Sequence, residues 1–292
     1  MTPFTGRSGQ EMTTALLDMR ADDLEAVYAL TLALKWPHRL EDWRFMLMLG
    51  AGLVARDEAG TVIGSIMWWL YCTDAAALGM VTVSDSQQGK GLGRRLMQAA
   101  MERLAGRTVL LNATSAGLPL YEKLGYVTTG AIEQRQGPAG AIPMVALEPE
   151  TRLRSVGRND GPLLAACDRA ATGLDRSRLL DALAGIGEVI ALDHAGEMVG
   201  YAFCRRFGRG LVIGPVVAPT QGGAKALIAH WVGSKTGEFV RLDIPMESGL
   251  SAWFDEIGLP RVDTGACMAM GPQRPLPDGG ARRFALCSQA LG

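Results

Sequence analysis

The chain contains 292 residues, of which 48% are hydrophobic, and its formal net charge is −1. This length predicts about two domains, and a charge so close to zero argues against the basic surface of a nucleic-acid or anionic-membrane binder. No apolar run approaches the roughly 18 residues that span a bilayer, and the first dozen residues lack a signal-peptide core, so we expect a cytoplasmic protein. Five scattered cysteines without a CxxC pair predict neither a disulfide framework nor a metal site.

Helical and strand patterns alternate along the first half. Residues 1–12 are small and polar, which predicts a flexible tail. A weak strand over 14–19 is followed by two runs with helical spacing, 22–34 and 40–49, which Pro37 separates. The elements predicted next are strands over 52–56, 62–70 and 78–83, a helix that ends near Leu104, and a strand over 108–112. Runs at 126–131 and 141–147 are expected to close this sheet.

A glycine-rich stretch, Gln88-Gly89-Lys90-Gly91-Leu92-Gly93-Arg94, opens the helix after the strand over 78–83. Residues without Cβ let a ligand approach the backbone, and N–H groups at a helix start attract anions, so the stretch predicts a phosphate-bearing cofactor. A Walker A loop is excluded because Lys90 is followed by Gly91 instead of Ser or Thr. A dinucleotide fingerprint fits poorly, because the glycines are spaced GxGxG and no acidic residue ends the next strand.

Two segments carry a resemblance to a known family. Gln88, Gly91 and Gly93 fit the pattern Q/RxxGxG/A, and about 20 residues further on the chain reads Leu118-Pro119-Leu120-Tyr121-Glu122-Lys123-Leu124-Gly125-Tyr126. Together they resemble the acyl-CoA loop and the YEKLGF run of the GNAT superfamily of N-acetyltransferases, with Tyr126 in place of Phe. The resemblance covers residues 13–148. It implies an α/β fold with a mostly antiparallel, twisted sheet flanked by helices.

The resemblance also implies a cofactor site for acetyl-CoA as co-substrate. The diphosphate is expected on the backbone amides of Gln88, Gly89, Lys90, Gly91, Leu92, Gly93 and Arg94, with added charge from Lys90. Pantetheine is expected to lie along Val81 and Val83, and Asn112 to bond its amide. Arginine in a first helical turn opposes the helix dipole, and a bound anion would account for Arg94.

Tyr121 is the candidate general acid. A phenol with a pKa near ~10 is protonated at neutral pH and can protonate a departing thiolate. The alternative interpretation is an ordinary buried tyrosine on a short helix. The acceptor side is less well defined, because each candidate there also has a plain structural interpretation.

The resemblance places the acceptor between the first two helices. There Trp36 and Trp43 could form an aromatic wall for a cation, Glu41 could attract it, and His38 could act as base. Tryptophans are more often core residues, acids that open a helix are often caps, and a lone histidine is often structural. Asp42 could attract the cation in place of Glu41. Glu133 and Asp85 are further candidate bases, and the base stays open.

The second half repeats this layout in weaker form. The apolar pattern lapses at Glu148-Pro149-Glu150, which predicts a domain boundary there and a degenerate GNAT-like domain over 151–292. After its central strand there is no GxG, Pro219 removes a donor, and Trp253 or Phe254 stands in place of Tyr121. We expect this half to complete the acceptor site or to form an oligomer interface. A second CoA site is the alternative.

The sequence therefore predicts an acetyl-CoA-dependent N-acetyltransferase. Its acceptor is expected to be the primary amine of a small molecule, of the polyamine, amino acid or aminoglycoside type, reacting by direct attack. The alternative is a non-catalytic acyl-CoA-binding sensor. No nucleic acid, membrane or metal partner is expected, and a homodimer is left open.

Overall fold

A computed structural model describes residues 14–272 and 280–292; the predicted flexible tail over 1–12 lies outside them. The first half contains, in order, β1 (Ala15–Asp18), α1 (Leu24–Ala33), α2 (Leu40–Leu49), β2 (Ala51–Arg56), β3 (Val62–Leu70), β4 (Ala75–Val83), α3 (Leu92–Arg103), β5 (Thr108–Ala113), α4 (Leu118–Lys123) and β6 (Val127–Pro138). The predicted helices and the β2–β3 hairpin agree with these bounds to within a few residues.

The second half follows the same order. It contains β7 (Thr151–Ser155), α5 (Gly161–Thr172), α6 (Ser177–Ala184), β8 (Gly187–His194), β9 (Glu197–Phe207), β10 (Gly210–Ala218), α7 (Gln221–Ser234), β11 (Phe239–Pro245), α8 (Ser251–Glu256), β12 (Arg261–Met270) and β13 (Arg282–Ala285). In the described ranges, no helix is both long and apolar enough to cross a membrane.

All the strands belong to one mixed sheet, in which the two halves exchange strands. The order is β1-β2-β3-β4-β5-β12-β6-β11-β10-β9-β8-β7, and β13 pairs with β10 off this path. Strand β12 of the second half lies between β5 and β6 of the first, antiparallel to both. Strand β6 in turn pairs with β11 of the second half. Neither half therefore has a complete sheet of its own.

The expectation that 141–147 closes the first sheet is wrong. Residues 139–150 form a connection without helix or strand, and β12 occupies the position beside β5. The physical reason is Pro143, because proline lacks the N–H that a central strand must donate to its neighbour. The predicted domain boundary near Glu148 falls in this connection.

Strands β4 and β5 separate beyond a short parallel contact. They pair only at Ala75–Ala77 with Thr108–Leu110, so the sheet splits open toward the ends of both strands. The pairing of β3 with β4 shifts its register between Ser65 and Met67, next to this split. Met80 of β4 adopts φ +54°. The Ser65 hydroxyl donates to the Met80 carbonyl at 3.0 Å and helps to hold this strained backbone. The result is a gap in the first half beside β4.

The equivalent gap in the second half is filled. Strands β10 and β11 pair only at Leu211–Val212 with Val240–Arg241. Strand β13 then pairs with the end of β10, its Phe284 is fully buried, and the Leu286 N–H donates to the Asp243 carbonyl at 2.8 Å. Strand β13 of the same chain therefore fills the gap in the second half.

The core is continuous across the two halves. One hydrophobic cluster combines α1 and α2 of the first half with α5 and α6 of the second, and includes Trp43, Trp69, Tyr201 and Phe203. Two further clusters lie under α7 and α8 and under α3 and α4. Large side chains from both halves pack together in this one cluster, so the two halves are held in a fixed arrangement.

Candidate active site

The glycine-rich loop has the backbone geometry of an open anion site. Gly89 and Gly91 adopt φ +74° and +83°, and Gly91 is the residue that caps the start of α3. A Cβ at either position would meet no atom within 4 Å. The glycines are therefore needed for their backbone conformation, and the space in front of them is free for a ligand.

The backbone donors of this loop are unused. From Gly89 to Arg94, no N–H group donates a hydrogen bond to another residue in the described part of the chain. The first helical donor is Arg95 N–H, which bonds the Gly91 carbonyl at 3.1 Å. Such a row of free donors at a helix start suits a diphosphate. These residues therefore fit the cofactor that the sequence predicts.

The side chains around the loop are placed in different ways. Gln88 folds back, because its Nε2 donates to Asp85 Oδ1 at 2.9 Å and to the Val83 carbonyl at 3.3 Å. Lys90 and Arg94 are exposed and make no ion pair with any described residue. Val81 and Val83 lie on the part of β4 that β5 no longer covers. The loop and the open strand edge are thus continuous.

Tyr121 lies on the same side of the sheet as α3. It packs in the cluster under α3 and α4, with its ring edge-on to Tyr126 at a centroid distance of 6.0 Å. Burial raises the pKa of the Tyr121 phenol to about 12. The phenol is therefore protonated throughout the neutral range. Helix α4 touches the loop, because a Cβ at Gly93 would lie 3.3 Å from Leu120 Cδ2 and 3.8 Å from Val83 Cγ2.

A cavity of about 280 Å³ lies where the two halves meet. Its floor is one face of the three exchanged strands: Asp263 of β12 is opposite Gln134 of β6, which is opposite Asp243 of β11, and Gln136 is opposite Arg241. Its walls are residues 35–38 of the first half and 207–209 of the second. At one end it reaches Gly79, Met80 and Asn112 beside the split in the first sheet.

His38 lines this cavity from the first half. Its ring lies between Trp36 and Phe207, at centroid distances of 5.7 and 5.3 Å. The His38 Nδ1 atom is buried and has no hydrogen-bond partner. Burial lowers the pKa of His38 from 6.5 to about 4, although the charge of Asp42 opposes the shift. The ring is therefore neutral near pH 7, and one of its two nitrogens is then unprotonated.

The other residues expected around the acceptor lie elsewhere. Trp43 is fully buried in the core, where its Nε1 donates to Thr31 Oγ1 at 3.3 Å, so of the two tryptophans Trp36 is the one that lines the cavity. Glu41 is exposed, lies 3.9 Å from Arg44 and is not part of the cavity. These two expectations are corrected because the helical repeat of α2 turns Trp43 inward and Glu41 outward.

Asp42 joins the two walls of the cavity. Its Oδ2 accepts from the Arg39 N–H at 2.9 Å and from the Gly208 N–H at 3.0 Å, and its Oδ1 accepts from Arg39 Nη2 at 2.8 Å. Burial alone would raise the pKa of Asp42, but these donors outweigh it and lower the pKa. Asp42 therefore stays ionised and positions the 207–209 turn against Pro37.

Two further candidate bases already accept hydrogen bonds from neighbouring side chains. Glu133 is buried and accepts from Arg135 Nη2 at 2.6 Å and from Ser251 Oγ at 3.0 Å, on the sheet face opposite Gln134. Asp85 accepts the Gln88 side chain at 2.9 Å. Both carboxylates have structural partners that account for them.

Asn112 has a partner that the sequence did not indicate. Its Nδ2 donates at 2.7 Å to the carbonyl of Gln289, in the segment that follows β13. This bond uses one amide N–H, so the expected bond from Asn112 to pantetheine stays a prediction. Ala290 of the same segment lies 3.2 Å from the position of a Cβ on Gly79.

The residues that sequence analysis missed come mainly from the second half. They are Phe207, Arg209, Arg241, Asp263 and Gln289, together with Gln134 and Gln136 of β6. The sequence did carry a signal for these residues. Polar side chains recur at every second position of two largely buried strands, at Gln134 and Gln136 in β6 and at Arg241 and Asp243 in β11. Polar side chains repeated on one face of a central strand indicate a site or a polar network.

Known proteins share both the sequence pattern and this fold. Residues 36–147 and 164–280 each match an Acetyltransferase (GNAT) domain family. The chain is 30% identical over 262 residues to the uncharacterized N-acetyltransferase YitH of Bacillus subtilis (strain 168), covering 88% of this chain and 91% of YitH. Its fold is similar to that of a Pyrococcus horikoshii protein assigned as an acetyltransferase, with a TM-score of 0.78, 18% identity and 99% of both chains covered. The tandem GNAT protein from the clavulanic acid biosynthesis pathway is also similar, with a TM-score of 0.64, 15% identity and coverage of 90% and 100%.

Proposed function

This chain belongs to the GNAT acetyltransferase family and is an N-acetyltransferase, and from that premise we propose that it transfers an acetyl group from acetyl-CoA to a small primary amine. The observation that carries the proposal is the row of unused N–H donors from Gly89 to Arg94, which ends at the same split in the sheet that the cavity reaches. One end of the site thus suits a diphosphate, and the other suits a small acceptor.

The cofactor is proposed to bind along β4. The amides from Gly89 to Arg94 take the diphosphate oxygens, and Lys90 and Arg94 add positive charge at the surface. Pantetheine follows the open edge at Val81 and Val83. Asn112 donates one amide N–H to Gln289 and is proposed to bind pantetheine through its remaining polar atoms.

Acetyl transfer needs a neutral amine, a proton acceptor and a proton donor. The thioester supplies an activated acetyl group. Tyr121, protonated because burial raises its pKa to about 12, donates a proton to the departing thiolate. The free amine attacks the carbonyl carbon, and the N–H of the attacking nitrogen becomes acidic as the C–N bond forms. His38, neutral because its pKa is lowered to about 4, is proposed to accept that proton late in the step.

The test is a thiol-release assay with acetyl-CoA across a panel of primary amines, compared with calorimetric binding of CoA. An enzyme of this type releases CoA only when an accepted amine is present, and Tyr121→Phe lowers that rate. A protein that binds CoA but turns over no amine, with or without Tyr121, would be an acyl-CoA sensor, and the proposal would fail.

A further inference from the structure

We propose that the acceptor carries an anionic group, carboxylate or phosphate, in addition to its amine, and that the cations of the second half bind it. This inference rests on the proposed function, and it narrows the acceptor to amines of the amino acid type. Polyamines and aminoglycosides, which are polycations, are disfavoured.

The charges around the cavity carry the inference. Three cations line it, Lys35, Arg209 and Arg241, against the carboxylate of Asp263. Arg241 is paired with Asp243 on the same floor, so the uncompensated positive charge comes from Lys35 and Arg209. Lys35 and Arg209 are exposed at the mouth and have no ion-pair partner among the described residues. A polycationic acceptor would meet this positive charge at close range, whereas an anionic group would be attracted by it.

Arg241 is held in place as an anion receptor would be. Its Nε and Nη2 donate to Asp243 at 3.1 and 2.9 Å, and its Cζ lies 5.7 Å from the centroid of the Phe207 ring. Its Nη1 makes no hydrogen bond with the described residues and remains as a donor. A guanidinium fixed in this way loses little side-chain entropy when it binds a carboxylate or phosphate.

Arg209 is also positioned by the fold. It follows Gly208, whose N–H donates to Asp42 at 3.0 Å and whose φ is +54°. A Cβ on Gly208 would lie 2.9 Å from the Pro37 carbonyl, so the turn is packed tightly against the opposite wall. This contact keeps Arg209 at the mouth of the cavity.

Size supports the same class of acceptor. A volume of about 280 Å³ lies just below the range of ordinary ligand pockets, roughly 300–1,000 Å³. An amine of amino-acid size can enter such a space. A multi-ring aminoglycoside is a larger molecule and fits this volume less well.

The experiment compares matched pairs of amines that differ in the anionic group. The pairs are norleucine and pentylamine, 6-aminohexanoate and pentylamine, and O-phosphoethanolamine and ethanolamine, with spermidine and kanamycin as polycations. We expect kcat/KM at least tenfold higher for the anionic member of one or more pairs, and the pair that responds distinguishes carboxylate from phosphate. Faster turnover of the neutral amines or the polycations overturns the inference but leaves the proposed function intact. No turnover of any amine overturns the proposed function itself.

Two arginine variants test whether Arg209 binds the anionic group of the acceptor. Arg209→Gln should raise KM for the preferred anionic amine about tenfold and leave KM for acetyl-CoA unchanged. Arg206→Gln is the matched control, because Arg206 is exposed near the end of β9, three residues before Arg209, but pairs with Glu238 at 3.5 Å and lies outside the cavity. If Arg209→Gln instead raises KM for acetyl-CoA, the cation serves the cofactor and the inference is overturned.

Discussion

Asn112 Nδ2 donates a hydrogen bond of 2.7 Å to the carbonyl oxygen of Gln289, and so joins the split in the first sheet to the last segment of the chain. The same segment continues to Leu291, whose carbonyl accepts from Tyr71 at 2.6 Å. Upstream, β13 fills the corresponding gap in the second half. One stretch of chain therefore closes the second gap and forms the end wall of the cavity in the first.

A single CoA site per chain follows from this arrangement. The second gap is occupied by β13, and the helix after β10 is capped internally, because Thr220 Oγ1 accepts from the Gly223 N–H at 3.1 Å. We therefore expect isothermal titration calorimetry to give one CoA per chain. Gly91→Glu should weaken binding at that one site at least tenfold. Binding of two CoA molecules, or a second site that Gly91→Glu leaves at full affinity, would contradict this assignment.

Tyr121→Phe should lower kcat about 100-fold or more, since general acid catalysis contributes roughly 10²–10⁴ in rate. CoA affinity should be unchanged, because the variant removes only a hydroxyl. Tyr126→Phe is the control: its ring is next to that of Tyr121, and its hydroxyl contacts Met101 Sδ at 3.0 Å. Steady-state kinetics of both variants at saturating acetyl-CoA makes the comparison, and equal losses in the two would remove Tyr121 from the mechanism.

Burial of a neutral His38 predicts a pH-dependent stability. Its folded-state pKa of about 4 lies below the 6.5 of an unfolded chain, so the unfolded chain binds more protons between these values. The contribution is present above pH 6.5 and is lost as the pH falls toward 4. Between pH 8 and pH 5 the loss amounts to about 2 kcal/mol.

Urea unfolding of the wild type and of His38→Gln at both pH values measures this term. The wild type should lose about 2 kcal/mol more than the variant between pH 8 and pH 5. Identical pH dependence in the two proteins would mean that His38 is solvated and free to titrate normally. It would then not be the neutral, buried group that the proposed proton transfer uses.

The local elements could be read from the sequence because their signals are local. Helix α2 matches its predicted bounds, since Pro37 and the Arg39–Asp42 contact fix its start. The exchange of β6 and β12 could not be predicted, because strand pairing depends on contacts more than 100 residues apart. The one local feature that argued against a central strand over 141–147 is Pro143, which lacks a backbone N–H.

The candidate site also has one part that could be predicted from the sequence and one part that could not. The cofactor loop is contiguous in sequence, and its glycine spacing indicated the backbone geometry found at Gly89 and Gly91. The acceptor cavity is assembled from distant segments, so among its residues only Trp36, His38 and, as a cofactor residue, Asn112 were predicted as site residues. Trp43 and Trp36 are both tryptophans near one helix start, and composition alone could not tell which one faces the core.

The most direct test of the account is the affinity of Gly91→Glu for CoA, measured by calorimetry beside Gly60→Glu. Both glycines have positive φ, +83° and +79°, and a Cβ at either would meet nothing within 4 Å, but Gly60 lies in the β2–β3 turn away from the loop. We expect at least tenfold weaker CoA binding for Gly91→Glu, unchanged binding for Gly60→Glu, and no effect of either on pantetheine, which lacks the diphosphate. Equal CoA affinity in the two folded variants would contradict the claim that the amides from Gly89 to Arg94 bind the diphosphate.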